Sequence, residues 1–260
     1  VAPVPERSYL ICGTPRTGST FLCGLLASTG AVGRPESYFR IQNESDYARQ
    51  WSIDQTDGCV DQGAFVAAAI AAGSTANGIF GCRVMWGSLD NVVAKIDPSI
   101  AVHSPQADLG LLQRAFEPGL TFVYLSRQDV LAQAVSWARA EQTAYWQTGD
   151  VAAGEPHFDP EQIDLLGQTI EEHNAAWRSW FAAAGVRPLA IAYEELVADP
   201  VRTVRDLLDQ LGIEIPTGTR IAAPDRRQSD ELNEGWLRQF RTCDESRPRP
   251  GRSGPSGRHR

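Results

Sequence analysis

Short apolar runs alternate along this chain with longer stretches whose apolar residues return every three or four positions. The short runs are Tyr9-Leu10-Ile11-Cys12, the segment Gly78–Met85 with Ile79, Phe80 and Val84, Leu120-Thr121-Phe122-Val123-Tyr124-Leu125, and Leu189-Ala190-Ile191-Ala192-Tyr193. They are rich in β-branched and aromatic residues and are flanked by turn formers such as Asn77-Gly78, as buried strands are. Helical patterns lie between them: Phe21 to about Thr29, Phe65–Ala72, Val130 to about Trp146, 161–184, Pro200–Leu211 and Asp225–Phe240. Residues 87–118 mix helix-like apolar positions with an Asp97-Pro98 turn and a His103-Ser104-Pro105 loop. Asp129 is placed to cap the helix from Val130, and Pro200 suits the first turn of its own helix. Strands joined through helices pair in parallel, because the crossover brings the chain back in the same direction. The pattern predicts an α/β fold of three layers, a central parallel sheet flanked by helices on both faces, with no internal repeat.

The first strand runs directly into Gly13-Thr14-Pro15-Arg16-Thr17-Gly18-Ser19-Thr20 and then into a helix. A turn of this kind leaves the first N–H groups of the helix unpaired and converging on one spot, which attracts anions. The nearest familiar pattern is the P-loop, G-x-x-x-x-G-K-[ST], so the predicted fold is P-loop-like. Gly13, Gly18 and Thr20 keep its glycines and its final threonine, but Ser19 stands where the lysine belongs and the cation has moved to Arg16. Loss of that lysine removes the main side-chain contact to the terminal phosphates of a nucleoside triphosphate and favours another phosphate-bearing donor. A plain turn would have no use for the donors of Arg16, Ser19 and Thr20.

A second constellation follows the third strand. Arg127 stands at its carboxyl end, where open α/β sheets bind ligands, and Ser136 lies on the next helix, where it can face the same crevice. Alone, the pair reads equally as a sheet-edge arginine and a packed serine. Coupled with the first loop, it points to a donor with a second phosphate.

These residues resemble the sulfotransferases that use 3′-phosphoadenosine 5′-phosphosulfate (PAPS), and among them most closely the bacterial trehalose 2-sulfotransferase family, over most of residues 8–241. In sulfotransferases a loop [KR]-[ST]-G-[ST]-T binds the 5′-phosphosulfate, so the resemblance assigns that role to Arg16, Thr17, Gly18, Ser19 and Thr20. An arginine and a serine that bind the 3′-phosphate correspond to Arg127 and Ser136. Their spacing here is one residue longer than in the animal cytosolic enzymes, and Asp129-Val130, Gln133-Ala134-Val135-Ser136 looks like the trehalose branch. Further local similarities are Gly30–Pro35, Gly81–Trp86, Tyr193–Leu196 and Arg227-Gln228-Ser229-Asp230. The resemblance also implies a homodimer.

One departure bears on the acceptor. The trehalose enzymes carry Gly-Glu-Pro-Gln-Glu-Phe-Phe after the first helix, the second glutamate being the proposed base, whereas this chain has Gly33-Arg34-Pro35-Glu36-Ser37-Tyr38-Phe39. Ser37 takes the base position, Glu36 is next to it and Arg34 replaces the first acid. A hydroxyl attacking sulfur must lose its proton to a group within hydrogen-bond reach, and Glu36 is the expected base. Arg16 is the expected catalytic cation, facing the charge that grows on the phosphate oxygen as the S–O bond breaks. Arg34, Ser37, Arg83 and Trp86 are expected to meet the acceptor. Arg34 offers donors where the relatives offer an acceptor, so the expected substrate carries its own acceptors or negative charge and trehalose is expected to be poor. Trp137, Tyr145 and Trp146 offer further flat faces for a sugar or the adenine; His103 lies in a loop that could reach the site, while His157, His173 and His259 stand in no motif.

Composition narrows the alternatives. The chain has 260 residues, 42% of them hydrophobic, enough for one α/β domain over 1–243. Net charge is −8 although residues 247–260 hold five arginines and no acid, so the body is acidic and a poor match for nucleic acid. The tail 244–260 is expected to be basic and disordered. Five scattered cysteines, none in C-x-x-C spacing, read as buried free thiols rather than a zinc ribbon or disulfide framework, and no metal is implied. No apolar run spans a bilayer and no signal pattern opens the chain, so a cytoplasmic enzyme is expected. Two other functions remain open: a small-molecule kinase on a degenerate P-loop, which would need a magnesium-binding acid after a core strand, and a catalytically inactive nucleotide-binding protein.

Overall fold

The computed structural model describes residues 5–56, 59–100, 103–116, 118–146, 154–222 and 231–246. In chain order the elements are β1 (Arg7–Gly13), α1 (Ser19–Ala27), α2 (Glu44–Gln50), β2 (Gln55–Thr56), β3 (Cys59–Val60), α3 (Gln62–Gly73), β4 (Ile79–Met85), α4 (Leu89–Ile96), α5 (Pro105–Phe116), β5 (Leu120–Ser126), α6 (Val130–Thr143), α7 (Pro160–Ala184), β6 (Leu189–Ala192), α8 (Tyr193–Ala198), α9 (Pro200–Leu211) and α10 (Glu231–Ser246). Four parallel strands form the sheet in the order β4-β1-β5-β6, and β2 and β3 make a separate antiparallel pair.

Alternation along β1 explains the layers. Tyr9 and Ile11 point to one face, where they join Leu22, Leu26, Val204, Leu207 and Leu208 of α1 and α9. Leu10 and Cys12 point to the other, among Phe65, Val92, Leu112, Phe116 and Trp177 of α3, α4, α5 and α7. A strand buried on both faces has to be apolar throughout, which is why β1 and β5 were so visible. A third cluster joins α6, α7 and α10 through Trp137, Ile170 and Trp236. The helix ends are built as the residues dictate: the Asp129 carboxylate accepts from Ala132 N at α6, Asp199 from Arg202 N at α9, and Gly212 with φ +64° closes α9.

Boundaries differ from the pattern in instructive places. Helix α6 stops at Thr143 rather than near Trp146, because Ala144 turns left-handed with φ +53°. Tyr193 opens α8 instead of ending a strand, and the helix-like positions between Met85 and Leu120 fall into two helices, α4 and α5. Helix α10 begins at Glu231 and continues through Ser246, so residues 244–246 are helical and not tail. The Arg227–Asp230 similarity and residues 247–260 lie outside the described residues.

Candidate active site

The first loop leaves the carboxyl end of β1 under close constraint. A side chain at Gly13 would bring its Cβ to 2.8 Å from the Leu125 carbonyl oxygen on β5, so only glycine lets the two strands end this close together. Gly18 has φ +82° and would meet the Tyr193 ring at 2.6 Å, so its glycine answers both a backbone and a packing demand. Arg16 sits at φ +65°, an uncommon conformation for a non-glycine residue. The loop is tied down to hold it. Trp177 Nε1 donates to the Gly13 carbonyl at 2.9 Å, and Gln133 Nε2 donates to Thr14 Oγ1 at 2.7 Å and to the Pro15 carbonyl at 2.6 Å. Thr17 is fully buried and spends its hydroxyl on the Thr14 carbonyl at 2.9 Å. Its side chain therefore faces the protein.

Helix α1 starts at this loop with no side-chain cap and no acid in its first turn, so its terminal N–H groups and positive dipole end are available to an anion. Around that end the fold collects three predicted residues from distant parts of the chain. Arg16 Nε donates to Ser136 Oγ at 3.0 Å and Nη1 to the Trp146 carbonyl at 2.7 Å. Arg127 Nη1 reaches the Arg16 carbonyl at 3.4 Å, and its guanidinium lies 4.4 Å from the centre of the Tyr193 ring. That ring is thus wedged between Gly18 and Arg127. Glu194, the next residue, accepts from Gln128 N at 3.1 Å and Asp129 N at 3.3 Å, fixing the turn that carries Arg127.

The opposite side is an extended segment laid along the outer edge of β4. Glu36 bridges Cys82 in parallel fashion, and Arg83 N donates to the Glu36 carbonyl at 3.0 Å. Gly33, φ +81°, makes this approach possible, since a Cβ there would lie 2.7 Å from Gly81 N. Arg83 then joins the two sides: its Nε donates to Ser37 Oγ at 2.8 Å and its Nη1 to Thr20 Oγ1 at 2.7 Å. The Glu36 side chain is exposed and forms no hydrogen bond among the described residues.

Between these sides lies a cavity of about 680 Å³, bordered by Arg16, Ser19 and Thr20 of the loop, by Glu36, Ser37 and Arg83, and by Tyr47, Trp137, Glu141, Trp146 and His173. Two residues expected at the acceptor lie elsewhere. Arg34 is exposed and directs Nη1 to the Ser74 carbonyl at 3.4 Å, and Trp86 packs edge-on against Trp177 with ring centres 5.1 Å apart. Both positions follow from alternation and turn geometry: Arg34 hydrogen-bonds through its own N to Gly73, and Trp86 begins a short helical turn after β4.

Electrostatics respond to this burial. Burial pushes the Tyr47 hydroxyl pKa up, and Glu36 adds to the rise while Arg83 opposes it. The buried Cys23 thiol is pushed up to about 12 by burial, again against Arg83, and the Cys12 and Cys82 thiols are raised as well. These three are free and buried, as the scattered spacing implied, whereas Cys243 is exposed. Burial lowers the His173 pKa, with Glu172 opposing. Tyr47, Glu141 and His173 were missing from the expected site. Each is one polar residue among several on its helix, and only the fold points it at the loop; the one available signal is that Glu141 stands one helical turn after Trp137. Among the described residues no group of His, Cys, Asp and Glu is arranged to hold a metal ion.

The profile of the Stf0 sulphotransferases matches residues 8–243. This chain belongs to the Stf0 sulphotransferase family. It is a sulfotransferase, as the resemblance of its loop and of the Arg127 segment implied. It is 28% identical over 262 aligned residues to the trehalose 2-sulfotransferase of Mycobacterium tuberculosis, covering 90% of this chain and 94% of the relative. It is 25% identical to the trehalose 2-sulfotransferase of Mycolicibacterium smegmatis, with the same coverage. Among solved structures, the sulfotransferase domain from the curacin biosynthetic pathway superposes with a TM-score of 0.50 at 12% identity, over 88% of this chain and 82% of that one. The likeness is one of fold: the three-layer α/β fold predicted from the hydrophobic pattern, with the P-loop-like turn predicted from Gly13–Thr20.

Proposed function

We propose that this sulfotransferase transfers a sulfuryl group from PAPS to a hydroxyl of a carbohydrate or glycolipid acceptor. The observation that carries the reading is the convergence of Arg16, Arg127 and Ser136 on the uncapped end of α1, with Glu36 across the cavity. The donor set fits the cofactor chemically. It offers backbone N–H groups, the Ser19 and Thr20 hydroxyls and two guanidiniums, whose planar forks suit phosphate and sulfate oxygens. PAPS, when bound, supplies an activated sulfuryl group on a phosphate leaving group.

The residues of the chain then divide the remaining work. Arg16 and the α1 N–H groups hold the 5′ end and neutralise charge as it develops there, while Arg127 and Ser136 hold the 3′-phosphate. Arg83 keeps Thr20 and Ser37 at a fixed separation, so the acceptor segment stays in register with the donor loop. Glu36, uncommitted to any protein donor, takes the proton of the attacking hydroxyl. Arg34 points away from the cavity, which removes the physical ground for expecting trehalose to be a poor acceptor; trehalose becomes the first acceptor to assay. No helix among the described residues is long and apolar enough to cross a membrane. From the family resemblance alone we propose a cytoplasmic enzyme working as a homodimer.

Calorimetry with adenosine 3′,5′-bisphosphate and with magnesium-ATP tests the donor assignment. The bisphosphate should bind far more tightly, because ATP has no 3′-phosphate for Arg127 and Ser136. Equal or tighter binding of magnesium-ATP would overturn the reading in favour of the kinase.

A further inference from the structure

One wall of the cavity is unused by this chemistry: the last turns of α6 and the facing stretch of α7. Trp137 lies next to Ser136 and is only 8% exposed, yet borders the cavity. Its Nε1 donates to Glu141 Oε1 at 2.8 Å, and Gln162 Nε2 donates to Glu141 Oε2 at 3.2 Å. Gln162 is itself oriented, since its Oε1 accepts from Gln142 Nε2 at 2.7 Å, and Gln142 Oε1 accepts from His157 N at 2.8 Å. The relay leaves each amide one way round and gives each Glu141 oxygen one donor. A carboxylate has about four acceptor sites, so roughly half remain for a ligand. On α7, the His173 ring lies 6.5 Å from that of Trp137, and its Nδ1 is buried with no hydrogen-bond partner among the described residues.

This wall therefore brings a largely buried indole, a pre-oriented carboxylate and the His173 ring together at the cavity. Such a surface complements a ligand that donates several hydrogen bonds and carries no negative charge, because an anion would be repelled by Glu141. The cations of the cavity, Arg16, Arg40 and Arg83, come from other elements. Glu141 follows Ser136 by five residues, about 7.5 Å along the helix axis, a distance on the scale of one sugar ring.

We infer that Glu141, held by Trp137 and Gln162, is a specificity-determining residue that accepts hydrogen bonds from hydroxyls of a polyhydroxy acceptor remote from the hydroxyl that is sulfated. The inference rests on the proposed sulfuryl transfer. The competing role is a strut between α6 and α7, which would affect stability and every acceptor alike.

Steady-state kinetics of the full chain with PAPS, trehalose and a monohydroxy cyclic alcohol separate the two. Glu141→Gln should raise KM for trehalose about 10–100-fold, the loss expected for hydrogen bonds to a charged group, with kcat and donor affinity unchanged to within about twofold. KM for the monohydroxy alcohol and Tm should not move, and Glu141→Asp should recover part of the trehalose KM. An unchanged trehalose KM, or equal losses on both alcohols with a lowered Tm, would overturn the subsite. Wild-type transfer to neither alcohol while adenosine 3′,5′-bisphosphate still binds would also overturn it and leave the donor assignment standing. Failure to bind the bisphosphate would remove the reading beneath it.

Discussion

The two sides of the cavity are built on opposite principles. On the donor side, polar groups of the loop are engaged before any ligand arrives: Thr14 and Thr17 are fully buried, Gln133 and Trp177 brace the backbone, and Arg16 is hydrogen-bonded to Ser136 and Trp146. On the acceptor side, Glu36 is exposed and makes no side-chain hydrogen bond among the described residues, and its segment is held chiefly through its backbone along β4. A rigid cradle suits a donor whose phosphates are always the same, because preorganised dipoles need no rearrangement as charge develops. A wall held by its backbone leaves side chains free to vary with the acceptor. Arg83 hydrogen-bonds to both sides, to Ser37 and to Thr20, so it fixes where the two regimes meet.

The sharpest way to break this contrast is Glu36→Gln, which keeps size and hydrogen bonding but removes the proton acceptor. If Glu36 is the base, single-turnover rates should fall about 10²–10⁴-fold while bisphosphate affinity is preserved. An unimpaired enzyme would move the base elsewhere in the cavity, with His173 as the next residue to replace. Arg16→Ala attacks the donor side and should cost about 10²–10³ in rate even at saturating donor, the usual loss for one preorganised electrostatic contact. Arg127→Ala should act mainly on donor affinity, and a rate loss at saturation would show that the two arginines do not divide their roles as proposed. The smallest effect expected is that of Gly18→Ala, which introduces a left-handed alanine and a Cβ against Tyr193. It should destabilise the protein by about 1–3 kcal/mol, read as a lowered Tm, and weaken bisphosphate binding with little change in acceptor KM. A change in acceptor KM alone would mean that the loop serves the acceptor rather than the donor.

The layers of the fold and the donor loop were legible in the chain because their determinants are local. Tyr9–Cys12 and Leu120–Leu125 announce themselves by continuous apolar character, and Gly13–Thr20 by backbone demands that only a few residue types meet. That Arg127 and Ser136 would lie near the first loop was also readable, since a strand end and the following helix are neighbours in any parallel sheet, and each of them meets Arg16. Where the wall residues would face was not. Arg34 and Ser37 stand three positions apart, yet one turns out to the Ser74 carbonyl and the other in to Arg83, a choice made by the turn at Gly33 and the edge of β4.

By itself, then, the sequence determined an α/β sandwich with an anion cradle at the end of its first strand, since strand burial, helix caps and the glycine turn depend on residues close in the chain. Only the tertiary structure decided which side chains border the cavity. Tyr47, Arg83, Glu141 and His173 come from four elements, α2, β4, α6 and α7, and reach one cavity through contacts between residues far apart in sequence. No local pattern encodes such a meeting, because each of these residues would suit an exposed helix face or a strand edge equally well until packing of the sheet and its helices gives it a direction.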